Sequence, residues 1–212
     1  MKKVSLILSA LMMTAIMLSS CGGGASAEVT IGTQVWMSEN LNVDKFRNGD
    51  PIPEAKTDEE WVKAGKNQQP AWCYYNNDPA NGEKYGKLYN WYAVNDKRGL
   101  APVGYHIPSN KEWTILTDYL GGEDLVGTKM KSTSGWEENG NGTNESGFSG
   151  LPGGTRYGGG SFGEFGTYGY WWSSTENGTS HAWFLDLNYS NGNVLSYYNG
   201  KQVGFSVRCL RD

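Results

Sequence analysis

The sequence is poor in histidine, cysteine and basic side chains, and each shortage excludes a class of function. Its 212 residues include two histidines and three cysteines. Two histidines cannot form a His₃ zinc site or an H-E-x-x-H helix, and no cysteine pair has zinc-finger spacing. The 18 Lys and Arg residues are outnumbered by 22 Asp and Glu and form no basic run. A zinc hydrolase and a general nucleic-acid-binding protein are therefore excluded.

Glycine and aromatic residues are abundant instead. The chain has 30 Gly, 9 Trp, 13 Tyr and 6 Phe, whereas charged residues make up only 19% of it. Many rings supply material for a core, and many glycines allow tight turns and irregular loops. This composition is typical of a loop-rich secreted domain packed with Trp and Tyr, and not of a disordered tail.

The first twenty residues have the pattern of a secretory signal peptide. Two lysines precede an apolar run of about 14 residues, which ends shortly before Cys21. This run is shorter than the roughly 20 residues that span a bilayer, so residues 1–20 are predicted to be a signal and not a retained membrane helix. Small residues before a cysteine also resemble the bacterial lipobox, with Ser20 where Gly or Ala is commoner. An ordinary secretory signal is the alternative.

Lipidation of Cys21 would attach the protein to a membrane. Several acyl chains on one residue hold a protein far more firmly than a single chain does, and residues 21–27 would form the lipidated cysteine and a flexible tether. Residues 28–212 have the length of a single domain. We expect an envelope lipoprotein anchored in the outer membrane, with its periplasmic or surface orientation left open.

The remaining cysteines are predicted to pair. If Cys21 carries lipid, Cys73 and Cys209 are left in an oxidising compartment, where two cysteines most simply form a disulfide. Such a bond would close a loop through most of the domain and contribute roughly 5 kcal/mol in the chain-entropy model. Two buried free thiols are the alternative.

Local patterns predict a hairpin and two main helices. Alternating apolar and polar residues over 29–37 predict the hairpin. A capping box at Thr57 predicts a short helix, and an aromatic stripe over 85–92 predicts the first main helix. The second main helix begins at a capping box at Ser109 and ends at Gly121.

The composition changes from Ser134 onward. Gly, Asn, Ser and Tyr dominate this half, and helix-forming residues nearly vanish. Long loops joined to short strands are the expected structure. The Asn-Gly pairs at 191–192 and 199–200 predict two hairpin turns, and residues 204–210 predict a last strand.

Six segments occur in one order along residues 28–212: VTIGTQVWMSENL (29–41), YGKLYNWYA (85–93), GYHIPS followed by EW (104–113), LPGG (151–154), YWWSS (170–174) and GFSVRC (204–209). Together they resemble the Fibrobacter succinogenes major paralogous domain, a family found largely in envelope lipoproteins of Bacteroidota-like bacteria. That family is similar, more distantly, to the formylglycine-generating-enzyme branch of the C-type lectin fold. The resemblance implies an α+β, C-type-lectin-like domain with a small twisted antiparallel sheet, two main helices and long Gly-rich loops on one face.

Catalysis is not expected. An oxidase that resembles the formylglycine-generating enzymes needs a reactive cysteine pair near the C-terminal end, where this chain has only Cys209. Neither His106 nor His181 lies in a pattern that supplies a nucleophile and a base. An enzyme related to that branch is kept as the less favoured alternative.

No cofactor is expected, with calcium as a weak alternative. Lectin-like folds often hold calcium with loop oxygens, and hard cations take six to eight oxygen ligands. The candidate ligands are Glu138, Asn141, Asn144 and Glu145. Their spacing does not match an EF-hand loop, so a solvated polar loop is the default interpretation.

The C-terminal half carries the residues most typical of a binding face. Rigid rings interleaved with Ser, Gly and Asn give a large contact area at low entropy cost, although alternation along strands should place about half of them in the core. The candidates are Tyr168, Tyr170, Asn177, Trp183, Tyr189, Asn191, Asn193, Tyr197, Tyr198 and Asn199. We predict a non-enzymatic, lipid-anchored envelope protein that presents a lectin-like loop face to a glycan or a protein, with a structural component of a surface complex as the alternative.

Overall fold

The computed structural model describes residues 27–212. The predicted signal peptide and the predicted lipidation site at Cys21 lie outside these residues. Within residues 27–212, none of the helices has both the length and the apolar character needed to cross a membrane.

Short helices and strands alternate along this part of the chain, and most of the long strands come near its end. The helices are α1 (Asp58–Lys66), α2 (Pro79–Tyr85), α3 (Trp91–Val94), α4 (Asn110–Leu120) and α5 (Glu123–Met130). The strands are β1 (Glu28–Ile31), β2 (Gln34–Met37), β3 (Trp72–Cys73), β4 (Leu88–Tyr89), β5 (Tyr105–His106), β6 (Thr155–Arg156), β7 (Phe162–Gly163), β8 (Tyr168–Asn177), β9 (His181–Asn188), β10 (Val194–Gly200) and β11 (Leu210–Arg211).

The strands form small antiparallel sheets. One sheet has four strands in the order β1-β2-β11-β5, and another has three in the order β10-β9-β8. Two further pairs, β3 with β4 and β6 with β7, are separate ribbons. Five helices and several small antiparallel sheets confirm the predicted α+β class.

The elements with strong local signals form as predicted. The hairpin of β1 and β2 turns at Gly32, which has φ of +62°. A side chain at Gly32 would meet the ring of Tyr119 at 2.9 Å, so both the backbone angle and the space require glycine. Helix α4 begins with the capping box of Ser109 and Glu112 and ends at Gly121 in the left-handed conformation.

The predicted first main helix is wrong. The chain leaves the helical conformation at Gly86, where φ is +72°, and Leu88 and Tyr89 form β4 instead. Asn90 then caps α3, a separate helix of four residues. The stripe is nevertheless in the core, since Tyr89 is fully buried. Pairing of β4 with β3 outweighed the helical periodicity, so of the two predicted main helices only the second, α4, forms.

The C-terminal half is more regular than predicted. Strand β8 is ten residues long and β9 is eight. The pair 191–192 lies in the connection between β9 and β10, as predicted, but Asn199 and Gly200 lie inside β10, opposite Ala182 and His181. The predicted last strand is reduced to Leu210–Arg211, with isolated bridges before it.

The core of residues 27–212 consists of three hydrophobic clusters. The first lies around Phe205 and Trp172, whose rings are 4.6 Å apart. The second lies around Trp36 and Trp113, with ring centroids 4.7 Å apart. The third, smaller cluster includes Trp61. These three clusters give residues 27–212 a hydrophobic core.

The predicted disulfide is wrong. Cys73 and Cys209 are both free and buried. Cys73 packs in the cluster around Trp61, whereas Cys209 packs in the cluster around Phe205. Cys73 lies in β3, and Cys209 directly precedes β11, which belongs to another sheet, so the two thiols lie in separate parts of the core. Burial raises the pKa of each thiol to about 12, so both stay protonated and unreactive.

Five basic side chains are buried and hold irregular segments together. Arg156 and Arg208 are fully buried, and Lys87, Lys131 and Lys201 are nearly so. Each donates hydrogen bonds to backbone carbonyls and lies over an aromatic ring. Buried charges require partners, and here most of the partners are neutral carbonyls and ring faces. These hydrogen bonds stabilise segments that lie outside the helices and sheets.

Candidate functional site

The sheet of β8, β9 and β10 separates two parts of the core. Alternate residues point to opposite faces. Trp171 and Leu185, which are opposite each other, face the cluster that includes α4 and α5. Trp172 and Phe184 face the cluster around Phe205. Both faces are therefore covered along the middle of these strands.

One end of the sheet is left uncovered. Beyond Leu185, the face toward α4 continues with Trp183 and His181 on β9 and with Tyr198 on β10. The Tyr198 ring lies between the other two rings, with centroid distances of 5.7 Å to each and nearly perpendicular planes. Tyr198 is 54% exposed. An aromatic ring held in place and open to solvent is the central feature of this site.

Polar and aromatic neighbours extend the surface. Asn177 lies opposite His181 on β8, on the same face. Tyr197 and Asn199 are on the opposite face of β10, and Tyr197 is 53% exposed. We call this end of the sheet the aromatic end, which consists of Asn177, His181, Trp183 and Tyr198 on the face toward α4 and of Tyr197 and Asn199 on the opposite face.

Hydrogen bonds fix the strands that carry the aromatic end. Ser196 Oγ donates to Oδ1 of Asn110, at the start of α4, at 2.7 Å. Lys201 Nζ donates to Glu176 Oε1 at 3.0 Å and to the Thr179 carbonyl at 2.9 Å. These bonds tie β10 to α4 and to the turn between β8 and β9. A rigid surface loses little entropy when a ligand binds.

The other predicted binding residues lie elsewhere. Tyr168 and Tyr170 stack at 5.4 Å, and Tyr170 is 8% exposed. Tyr189, Asn191 and Asn193 lie at the opposite end of the sheet, in the connection between β9 and β10. Five of the ten candidates therefore come together at the aromatic end. Sequence reasoning did not include His181 among them, although alternation with Trp183 points to it.

The weak calcium candidates are occupied by turn hydrogen bonds. Asn141 Oδ1 accepts from the Trp136 backbone N–H at 3.0 Å. Asn144 Oδ1 accepts from the Ser149 N–H at 2.7 Å. Glu138 and Glu145 are exposed. Among residues 27–212, no group of three or more His, Cys, Asp or Glu side chains is close enough to hold a metal ion.

A buried carboxylate, Asp186, lies opposite Leu195 near the start of β10, away from the aromatic end. Asp186 is 8% exposed, and its Oδ1 has no hydrogen-bond partner within the part of the chain that the structure describes. It lies opposite Tyr170, whose hydroxyl donates to Glu164 Oε2 at 2.9 Å. Burial raises the pKa of Asp186 to about 6. The signal in the sequence was an acid that continues the two-residue spacing of Ala182 and Phe184, which places it on the same strand face as these apolar residues.

His106 is held between two carboxylates at the C-terminal strand. Its Nδ1 is 2.8 Å from Asp212 Oδ1, and its Nε2 is 2.9 Å from Glu112 Oε1. Glu112 also accepts a hydrogen bond from the Ser109 hydroxyl at 2.7 Å. No nucleophilic side chain is hydrogen-bonded to the His106 ring among the described residues. This arrangement joins β5, α4 and the end of β11.

The His106 contacts are expected to weaken as the pH rises. Partial burial alone would lower the pKa of His106, but its hydrogen bonds to Asp212 and Glu112 raise it above the ordinary value of 6.5. The stabilisation is therefore complete below about pH 6.5 and is lost as the pH rises through the higher folded pKa. A titration of the His106 ring by NMR checks this, with His106→Gln to assign its signal. A midpoint below 6.5 would contradict the expectation.

The fold and the site define an α+β, loop-rich domain with small antiparallel sheets, buried cations and one exposed aromatic surface. The chain belongs to the Fibrobacter succinogenes major domain family, whose model matches residues 29–211. No curated protein and no solved structure matches it. The family that the six segments resemble is thus confirmed, whereas the likeness to C-type lectins stays a prediction.

Proposed function

We propose that the protein is a non-enzymatic, lipid-anchored envelope protein whose aromatic end binds a neutral glycan. The observation that carries this proposal is the exposed Tyr198 ring, held between His181 and Trp183. Ring faces pack on the apolar faces of sugars, and an amide such as that of Asn177, on the same face as Tyr198, bonds to hydroxyl groups. A non-enzymatic glycan- or protein-binding role was also the prediction from the sequence.

The charge of the aromatic end favours a neutral ligand. None of its six residues is Asp, Glu, Lys or Arg. The nearest charges, on Glu176 and Lys201, are paired with each other at 3.0 Å. A surface without net charge offers no electrostatic attraction to an acidic polysaccharide.

The state of the Cys209 thiol supports a role without catalysis. The Cys209 thiol is buried, and its pKa is raised to about 12. A thiol must ionise and be accessible to act as a nucleophile, so Cys209 is unsuited to the chemistry of formylglycine-generating enzymes. The anchor at Cys21 and the likeness to C-type lectins are further parts of this proposal, supported by the patterns in the sequence.

A glycan array tests the proposal. Residues 27–212 are applied with and without calcium, as the unaltered domain and as Tyr198→Ala. Loss of one stacking ring is expected to weaken the retained binding roughly tenfold. The matched control is Tyr119→Ala, since Tyr119 is 65% exposed on α4, outside the aromatic end.

Two results would contradict the proposal. One is the absence of glycan binding in both conditions. The other is an equal loss in Tyr119→Ala and Tyr198→Ala, which would indicate that the aromatic end is not the site. Capture of a protein from envelope extract in native mass spectrometry, without glycan binding, would instead favour a structural component of a surface complex.

A further inference from the structure

The buried carboxylate of Asp186 has a second acid beside it. Asp186 on β9 lies opposite Tyr170 on β8, and the Tyr170 hydroxyl donates to Glu164 Oε2 at 2.9 Å. Burial is the main cause of the raised pKa of Asp186, and the negative charge of Glu164 raises this pKa further. Such an effect is expected when two carboxylates lie close together. Tyr170 therefore connects a pair of neighbouring acids.

Neither acid has a positive partner in the part of the chain that the structure describes. None of the ion pairs of residues 27–212 includes Glu164 or Asp186. Asp186 is 8% exposed, and its Oδ1 accepts no hydrogen bond from these residues. A buried acceptor without a donor is costly, and a charged one is more so. Asp186 thus presents a carboxylate oxygen that a hydrogen-bond donor on a ligand would satisfy.

Tyrosine side chains lie next to Glu164. The Tyr168 and Tyr170 rings stack with their centroids 5.4 Å apart. The Tyr157 hydroxyl lies against Gly163, where an added Cβ atom would come within 2.7 Å of it. Burial and the Glu164 carboxylate both raise the pKa of Tyr157, in agreement with this placement. We call this surface the acidic site, which consists of Glu164, Asp186, Tyr157, Tyr168 and Tyr170.

The acidic site is open to solvent at its edge. Tyr157 is 42% exposed, and Glu164 and Tyr168 are half-buried. Asp186 lies further in, on the face of the sheet opposite Tyr198, so the acidic site is separate from the aromatic end. A ligand would meet the rings and the Glu164 charge first and Asp186 last.

The groups of the acidic site fit a primary ammonium. Cations are attracted to the faces of Tyr rings and to carboxylates that no other cation compensates. The unpartnered Oδ1 of Asp186 requires a donor, and a primary ammonium has three N–H donors, whereas a quaternary ammonium has none. Calcium fits less well, because it takes six to eight oxygen ligands.

We propose that the acidic site binds the primary ammonium group of a small amine, either a diamine or an amino sugar. The ammonium donates to Asp186, is attracted by Glu164 and packs against the Tyr157 and Tyr168 rings. Glycan binding at the aromatic end is not required, because the Tyr198 ring and Asp186 are on opposite faces of the sheet. A bound amine stabilises the folded state, so it is expected to raise the unfolding temperature.

Titration calorimetry of the full chain at pH 7 tests the proposal. The probes are cadaverine, which is a diamine, and glucosamine, which is an amino sugar. 1,5-Pentanediol has the length of cadaverine without its charge, and tetramethylammonium has a charge without N–H donors. At least one amine is expected to bind roughly tenfold more tightly than either of these two controls. The amine that binds identifies the source of the ammonium group.

Variants of the two acids locate the binding. Asp186→Asn and Glu164→Gln each remove one negative charge and should weaken the bound amine roughly tenfold. Asp118→Asn, on the exposed side of α4, is the matched control and should leave the affinity unchanged. Thermal unfolding verifies that each variant folds.

Four results would overturn the proposal. One is that neither amine binds the unaltered chain. Another is that Asp186→Asn binds the amine as tightly as the unaltered chain does, which would place the amine elsewhere. Equal affinity for tetramethylammonium would show that no N–H donor is recognised. Calcium binding that is lost in both Asp186→Asn and Glu164→Gln would indicate a metal site instead.

Discussion

Replacement of Arg208 by Leu is expected to lower the free energy of unfolding by about 3–5 kcal/mol. The Arg208 guanidinium donates to Asn40 Oδ1 at 2.8 Å, to the Phe148 carbonyl at 2.6 Å and to the Met37 carbonyl at 3.2 Å. Its side chain is fully buried. Leucine would remove these donors. Asn40 Oδ1 keeps a hydrogen bond from Trp171 Nε1 at 2.8 Å, whereas each buried carbonyl that finds no other donor costs about 1–3 kcal/mol.

This effect comes from hydrogen bonds and not from ion pairing. No carboxylate of residues 27–212 lies within ion-pairing distance of Arg208. Burial lowers the pKa of Arg208 to about 9, so the guanidinium still carries its charge at neutral pH. The neutral acceptors and the Phe148 ring, 4.4 Å from the guanidinium carbon, are what compensate it.

Arg211→Leu is the matched control for Arg208→Leu. Arg211 is exposed and pairs with Glu28 at 3.3 Å on the surface, where an ion pair contributes at most about 1 kcal/mol. Urea unfolding followed by tryptophan fluorescence measures both variants, with midpoint and slope compared. Similar losses in the two variants would show that the buried hydrogen bonds of Arg208 do not hold the C-terminal segment.

Asp186→Asn is expected to stabilise the domain at about pH 8, by on the order of 3 kcal/mol. Burial raises the pKa of Asp186 from its ordinary value of 3.8 to about 6. The folded state therefore holds this proton more tightly than the unfolded state does. Stability from Asp186 is highest in acid and is lost as the pH rises from about 4 to about 6. Asparagine has a similar shape and remains neutral throughout.

The gain from Asp186→Asn should depend on pH. It is expected to be near zero at about pH 4 and to reach its full size above about pH 6, where Asp186 is ionised. Asp118→Asn on the exposed side of α4 is the control, with little change expected at either pH. Thermal unfolding across this range measures both variants. A destabilising effect of Asp186→Asn at pH 8 would indicate that the charged carboxylate has a partner in the folded protein.

Features with a local cause could be predicted from the sequence. The capping boxes at Thr57 and Ser109 start α1 and α4 as expected, because the capping side chain and the N–H that it binds are three residues apart. The hairpin of β1 and β2 has the same local basis, since its turn requires glycine at position 32. The family could also be identified, because its segments are themselves sequence patterns.

Features that depend on distant contacts were missed. The aromatic stripe over 85–92 has helical spacing, but strand β4 within it pairs with β3. Cys73 and Cys209 are the two cysteines expected to pair, yet each is surrounded by a different set of apolar side chains. The number of cysteines in the sequence does not indicate which part of the core each cysteine side chain enters.

The candidate binding face was likewise predictable only in part. The sequence placed rings and amides in the C-terminal half and predicted by alternation that about half would be buried. The sequence did not determine which of these residues would be buried. The buried and exposed parts of β9 and β10 are set by α4 and the Phe205 cluster, which cover the middle of the sheet. Tyr170 and Tyr198 both lie in strands of this sheet, but one packs against Phe205 and the other is open to solvent.

The sequence by itself thus determined the family, the α+β class, the helix caps and the Gly, Asn and Tyr composition of the candidate binding region. The tertiary structure alone decided which rings form the aromatic end, which thiols stay apart and which cations are buried. The physical reason is the range of the interactions. Caps and turns bind groups within a few residues, whereas Arg208 is held by Asn40, which is 168 positions away along the chain.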